Sequence, residues 1–398
     1  MANVTEQQLM ELRIKIENKI KLTKDEKKIL KDNDKEAIEK KKNMSFGERL
    51  KLSSGSDYAQ LMGKDEIDNY AIRDWICTGN RLLNAQISGD PYLGMPSGRI
   101  WQLAGINSSG KTFIMRKTVA NAQKLGYYFV LIESEMANND KKELIKSGID
   151  IENMLFVPTI TVEEMSKTVN GILDELLPTD KVIIGIDSLG NLSTTKEVED
   201  TTEGNETADM TRARKLRAFF RTITVKAGMK NVPIIPVNHT YAIIGGFGGR
   251  ELGGGEGSKY NSSIINEFTK AQVKSSDQKE TIGACITSTA TKCRTAKEKT
   301  KVKFDIDFDD GLTLHSGLLE FCIDEKLLVK DKQSYKYAPS LKSESFYVEE
   351  SFSKAKLTPV FWEQFLQKYL AEHMRTKFRY QSSTEGILTE EELAEYCE

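Results

Sequence analysis

Ile100-Trp101-Gln102-Leu103-Ala104-Gly105-Ile106-Asn107-Ser108-Ser109-Gly110-Lys111-Thr112-Phe113 is the stretch whose reading decides the fold. Its first part, Ile100 to Ala104, is an apolar run of strand length. The pattern G-x-x-x-x-G-K-T follows over Gly105 to Thr112, and a helix-length segment, Phe113 to Leu125, comes next. Strand, glycine-bearing loop and helix in that order are the context in which this motif cradles nucleotide phosphates. The glycines let backbone N–H groups approach without a Cβ in the way, and the helix N-terminus adds partial positive charge. Gly105, Ser108, Ser109, Gly110, Lys111 and Thr112 are therefore the expected ATP cradle. Lys111 is expected to reach the terminal phosphates, and the Thr112 hydroxyl to meet Mg²⁺.

Further apolar runs flank this stretch: Tyr127 to Ile132, Val182 to Ile186 and Val232 to Val237. Segments of helix length, such as Val162 to Leu177, separate them. Continuous apolar strands alternating with helices predict a mostly parallel α/β sheet covered on both faces. In such a sheet, ligands sit beyond the carboxyl ends of the strands. Asp187 ends one run and is expected to share the Mg²⁺ with Thr112. Glu133 and Glu135 end another and are expected to point the same way; one of them would polarise the attacking water. Asn238-His239 ends a third, where a group sensing the terminal phosphate would stand. Lys301 to Phe308 alternates apolar and polar strictly, which predicts a half-buried, antiparallel strand towards one end of the sheet.

The chain has 398 residues, enough for two or three domains, with a net charge of −2. Nucleic-acid binding must therefore come from local patches and not from a global field. No apolar run is long enough to span a membrane. The five cysteines are odd in number and scattered, as in reduced cytosolic proteins, with no spacing that favours zinc. Residues 1–69 read as a charged helical N-terminal segment with apolar positions at Leu9, Leu12, Ile16, Ile20 and Leu30. Residues 70–330 carry the ATPase pattern. Residues 331–398 read as a small C-terminal domain with Phe361, Trp362, Phe365 and Tyr369 in its core. Its last fourteen residues hold six Glu and no Lys or Arg.

Two features point to a DNA surface. Arg214, Arg217 and Arg221 recur at i, i+3 and i+7, a basic stripe along one helix. The segment before it, Lys196 to Asp209, is polar and acidic and reads as a mobile loop. Tyr241 to Ser263 carries eight glycines, which allow close backbone approach. Arg250, Lys259 and Tyr260 are its candidate contacts with DNA.

The chain resembles the RecA-type recombinases, most closely the UvsX recombinases of T-even-like phages, over about residues 70–330. The resemblance rests on the P-loop and on Gly94-Met95-Pro96-Ser97-Gly98-Arg99-Ile100, Glu133-Ser134-Glu135 and Ile186-Asp187-Ser188-Leu189-Gly190-Asn191-Leu192. It continues through Asp209-Met210-Thr211-Arg212-Ala213-Arg214, Asn238-His239-Thr240-Tyr241 and Lys292-Cys293-Arg294-Thr295. It implies ATP-bound subunits that self-associate into a helical filament on single-stranded DNA, search duplex DNA for homology and exchange strands. It further implies a recombination mediator and a single-stranded-DNA-binding protein as partners, and the cytoplasm of a bacterial host as location. By resemblance Glu135 is the water-activating carboxylate. His239 stands where cellular RecA proteins carry Gln, and Lys292 and Arg294 reach a neighbour's ATP across the filament interface. A hexameric helicase on the same core and a non-catalytic single-strand-binding filament are the rival readings. A GTP switch would need a guanine-reading N-K-x-D motif, which the sequence lacks.

Overall fold

The computed structural model describes residues 14–15, 22–56, 59–61, 71–136, 140–177, 179–204, 211–242, 250–253, 256–275, 280–338 and 351–380. The chain divides into two compact units, Met1–Asn69 and Tyr70–Glu398. In the first, α1 (Lys24–Asn43) and α2 (Phe46–Ser53) each begin at a reciprocal cap. Thr23 exchanges hydrogen bonds with Glu26, and Ser45 with Glu48, so two otherwise orphaned N–H groups are satisfied at each start. Leu9, Leu12, Ile16 and Ile20 lie outside the described residues.

The second unit is built on a ten-stranded sheet. Two short strands, β1 (Trp75–Ile76) and β2 (Met95–Pro96), pair apart from it and flank α3 (Arg81–Ser88). The sheet strands up to the middle of the chain are β3 (Trp101–Gly105), β4 (Tyr128–Glu133), β5 (Met154–Pro158) and β6 (Val182–Asp187). Then come β7 (Ile234–Ala242), β8 (Arg250–Leu252), β9 (Ile264–Lys274), β10 (Thr281–Cys293), β11 (Lys301–Asp307) and β12 (Gly311–Leu312). Their order is β12-β11-β10-β9-β3-β7-β6-β4-β5, with β8 paired to the end of β7. From β9 to β5 every neighbour is parallel, as the continuous apolar runs predict. The alternating segment is β11, antiparallel to β10 near one end of the sheet, with Val302, Phe304 and Ile306 inward. Phe308 falls beyond the strand and is exposed, so the alternation stops one pair earlier than the sequence suggests.

Strand pleating sends successive residues to opposite faces, and both faces are buried. Phe129 and Leu131 join a core containing Ile114, Met115 and Val119 of α4 (Lys111–Gln123). Val130 and Ile132 join another containing Val162, Met165, Val169 and Leu173 of α6 (Val162–Glu175). Between these helices in sequence lies the short α5 (Lys141–Lys146). The second core also takes Leu216, Phe219, Phe220 and Ile223 from α8 (Arg212–Lys230). Preceding α8 is α7 (Thr195–Glu203), in the segment expected to be a mobile loop. It has no buried residue; a reciprocal Thr194–Glu197 cap starts it and Gly204, at φ 76°, ends it. Local capping, not an apolar face, makes this helix, which is why periodicity does not reveal it. Residues 205–210 lie outside the described set.

Beyond the sheet come α9 (Glu256–Asn261), packed on α8, and α10 (Leu318–Asp324). The chain ends in a three-stranded sheet, β13 (Leu328–Asp331), β14 (Ser334–Tyr337) and β15 (Phe352–Ser353), and in α11 (Pro359–Phe365) and α12 (Ala371–Phe378). Trp362 and Phe365 are buried, and Phe361 and Tyr369 pack beside them. These rings share one apolar core with α3, α4 and β11. Asp90, after α3, receives Arg375 Nε and Arg379 Nη2 at 2.8 Å each, fastening α12 to that core. The acidic tail lies outside the described residues.

Candidate active site and nucleic-acid interface

β3 runs straight into the P-loop. Gly105 sits at φ 151° with the carbonyl of Phe268 so close that a Cβ would stand 2.4 Å from it. Gly110, at φ 86°, opens α4, whose N-terminus has no side-chain cap. Its N–H groups are therefore left for a ligand, the arrangement an anionic phosphate requires. Ser109 donates to the Ile106 carbonyl at 2.8 Å and closes the loop on itself. Ser108 faces the cleft at φ 57°. Lys111 is buried and donates to the carbonyls of Gly105 (3.1 Å) and Ile106 (2.7 Å). Burial lowers its pKa, and the charges of Asp187 and Glu135 oppose that.

Backbone register brings the other strand ends to this loop. Gly105 pairs with His239, and Glu133 with Asp187. Thr112 Oγ1 donates to Asp187 Oδ2 at 2.7 Å. Burial holds the Asp187 carboxyl above the usual range; Thr112 works against this and the Glu135 charge adds to it. Ser134 and Ser188 lock the ends of β4 and β6 through Ser134 Oγ to Ser188 O (2.8 Å) and Ser188 N to Ser134 Oγ (3.0 Å). The Glu135 carboxylate, just past this lock, accepts from Ser188 Oγ at 2.6 Å and meets His239 Nε2 at 2.8 Å. Burial pushes its pKa up, but these two hydrogen bonds together with the charges of His239 and Lys111 outweigh that, and the net shift is downwards.

Glu133 does not share this orientation. The strand ends at Glu133, so the pleat that would align the two carboxylates is not continued. The Glu133 side chain is buried and accepts the backbone N–H groups of Glu135 (2.9 Å) and Met136 (3.0 Å), holding the turn that presents Glu135. Asn238 likewise is buried and does not line the cleft. Its Nδ2 donates to the Gly253 carbonyl at 2.8 Å, while Gly253 N donates to His239 O, so the glycine-rich segment is rooted at the site.

The result is a cleft of about 600 Å³ lined by the P-loop, Glu135, Asp187 and His239. Phe113, Asn191 and Tyr241 also line it. Sequence reasoning assigned none of these three to the cleft, although Asn191 and Tyr241 fall within quoted motifs and Phe113 directly follows the P-loop. No group of His, Cys, Asp and Glu suited to hold a metal by protein ligands alone occurs among the described residues. A Thr hydroxyl and one carboxylate, completed by phosphate oxygens and water, are instead the donors Mg²⁺ takes beside a nucleotide.

Arg214, Arg217 and Arg221 are exposed along α8. At Gly257 a Cβ would come within 2.6 Å of Arg217 Cα, so α9 lies directly on the arginine helix. The exposed Lys259 and Tyr260 of α9 therefore neighbour the stripe. The Arg250 side chain and residues 243–249 and 254–255 lie outside the description. Lys292 is not in this chain's own cleft: its ammonium donates to the carbonyls of Lys259 (3.0 Å) and Tyr260 (2.7 Å). Burial lowers its pKa, and the neighbouring Arg294, which is exposed, lowers it further.

An uncapped P-loop helix, a Thr–Asp pair beside it and an ionised carboxylate opposite define a P-loop nucleotide-hydrolysing protein. Residues 57–313 match the RecA N-terminal domain. The recombination and repair protein of Enterobacteria phage T4 is 31% identical over 264 residues, covering 66% of this chain and 67% of that protein. Protein RecA of a Chelativorans species is 30% identical over 289 residues, with 71% and 78% covered. Protein RecA of Bacteroides thetaiotaomicron is 27% identical over 295 residues, with 73% and 84% covered. The chain belongs to the RecA family. No helix among the described residues is long and apolar enough to cross a membrane.

Proposed function

We propose that the chain acts as an ATP-dependent DNA recombinase whose DNA-stimulated hydrolysis takes place in this cleft, with Glu135 as the group that activates water. The observation that carries the reading is the Glu135–Ser188–His239 cluster facing the P-loop across one cleft. Lys111 leaves its loop carbonyls for the terminal phosphates, and the free N–H groups of α4 hold the phosphate oxygens. Thr112 and Asp187 would hold Mg²⁺, which when bound neutralises charge on the transferred phosphoryl group. Glu135, kept ionised by its two donors, orients the water and takes its proton. His239 stands between that carboxylate and the root of the glycine-rich segment, so the occupied cleft and the DNA-facing segment share one residue. The α8 stripe, Arg250, Lys259 and Tyr260 contact the DNA backbone without reading its sequence. Lys292 and Arg294 serve the ATP of a neighbouring subunit, where the two cations add to transition-state stabilisation. Residues 1–69 serve subunit contact.

Electron microscopy of the protein with a non-hydrolysable ATP analogue and single-stranded DNA tests the assembly. Helical filaments are expected. Closed hexamers that unwind a fork would overturn the reading in favour of a helicase.

A further inference from the structure

A cation in the first turn of a helix is poorly placed, because the helix dipole is positive there. Arg212 nevertheless opens α8, and its side chain turns back to the cleft instead of joining the exposed stripe. Its Nη2 donates to the carbonyls of Leu189 (2.7 Å) and Gly190 (2.6 Å), the first two residues of the single turn Leu189–Asn191. That turn follows Asp187 and Ser188 directly, and its last residue, Asn191, lines the cleft. Its middle residue is pressed against His239: a Cβ on Gly190 would lie 2.9 Å from His239 Cδ2. His239 in turn holds Glu135 at 2.8 Å. A continuous series of contacts therefore runs from the first residue of the arginine helix to the proposed water-activating carboxylate.

We infer that Arg212 is a positioning residue that transmits DNA occupancy of α8 to Glu135, through the Leu189–Asn191 turn and His239. Two charge-assisted hydrogen bonds from one guanidinium make the turn follow the helix end. A small shift of α8 on binding a phosphate backbone moves the Gly190 carbonyl with it, and the close approach of the Gly190 backbone to the His239 ring carries that motion on to His239. The inference rests on the assignment of Glu135 and of the α8 stripe made above.

The test uses full-length protein with saturating nucleotide, with and without saturating oligo-dT. Arg212→Ala should bind oligo-dT and nucleotide with near-normal affinity and keep its DNA-free hydrolysis rate, while the DNA-stimulated rate falls by roughly tenfold. Arg212→Lys, which keeps the charge and can still reach a carbonyl, should recover part of the stimulation. Three results would overturn the inference. Full stimulation of Arg212→Ala is one. A loss that extra DNA repairs is another, since it would make Arg212 a phosphate contact. An equal loss with and without DNA would mark a purely structural residue. If Arg212→Ala does not fold by circular dichroism, Arg212→Met, which keeps the aliphatic stem and loses the donors to Leu189 and Gly190, decides: reduced stimulation supports the inference and full stimulation refutes it. Glu135→Gln is run alongside; normal hydrolysis there would remove the Glu135 assignment itself, whatever Arg212 does.

Discussion

His239 Nε2 lies 2.8 Å from Glu135 Oε1, and these residues stand 104 positions apart in the chain. The contact exists because β4 and β7 flank β6 in parallel, with Glu133 paired to Asp187 and Ile186 to Pro236, so the ends of both outer strands meet over the end of β6. It follows that Glu135 is held, and kept ionised, by a group that belongs to the root of the glycine-rich segment.

Glu135→Gln should bind nucleotide normally and lose about 10²–10⁴ in kcat, the usual contribution of a positioned general base. His239→Ala should bind nucleotide too but lose the dependence of DNA affinity on nucleotide. Steady-state ATPase assays and nucleotide titrations check the first, and oligo-dT titrations with and without nucleotide check the second.

Asp187 makes a prediction about stability. Its folded-state pKa is raised, mainly by burial. A group of that kind favours the fold below its unfolded pKa, and this favour is lost as pH rises through the folded pKa. Above its folded pKa the ionised carboxylate therefore destabilises the nucleotide-free protein. Asp187→Asn should raise the melting temperature of the nucleotide-free protein at pH 7, less so as the pH falls towards the carboxylate range. It should also abolish the further rise that Mg²⁺ and ATP give. Thermal scans with and without both ligands decide this.

Replacing Arg214 and Arg221 by Ala should weaken single-strand binding alike for all sequences. The salt slope should flatten by roughly 0.7 for each phosphate that is no longer neutralised. Binding isotherms across a salt series measure it, and an unchanged slope would remove α8 from the DNA surface.

Lys292→Ala and Arg294→Ala proteins should bind ATP yet lose DNA-stimulated hydrolysis. Mixing Arg294→Ala with Lys111→Ala protein should restore part of it, because a mixed interface unites an intact P-loop with an intact cation pair. No recovery at any ratio, with co-assembly verified by pull-down, would defeat the shared-site assignment.

The core of the fold could be read from the sequence because its strands are buried on both faces and therefore continuously apolar. Asp187, Glu135 and His239 were legible for a related reason: each falls at the carboxyl end of such a run. Three things were not. The α7 helix rests on a cap and buries nothing, so no periodicity marks it. Glu133 and Glu135 look alike by spacing, and only the end of β4 at Glu133 separates a turn-holding carboxylate from a cleft-facing one. The contacts of Lys292 with the carbonyls of Lys259 and Tyr260, and of Arg212 with Leu189 and Gly190, depend on backbone groups that carry no sequence signal.

The position of β3 bears on how the protein emerges from a ribosome. Both of its neighbours, β7 and β9, are encoded far downstream, starting at Ile234 and Ile264. A nascent chain that has exposed the whole P-loop motif but not residue 234 has no partner on either side of the strand that aims it. Such non-local pairing is slow to form. Translation must therefore run past the glycine-rich segment before β3 has partners on both sides. By then the arginine helix has already been made, so a half-made chain carries that exposed basic stripe before its P-loop strand is seated in the sheet.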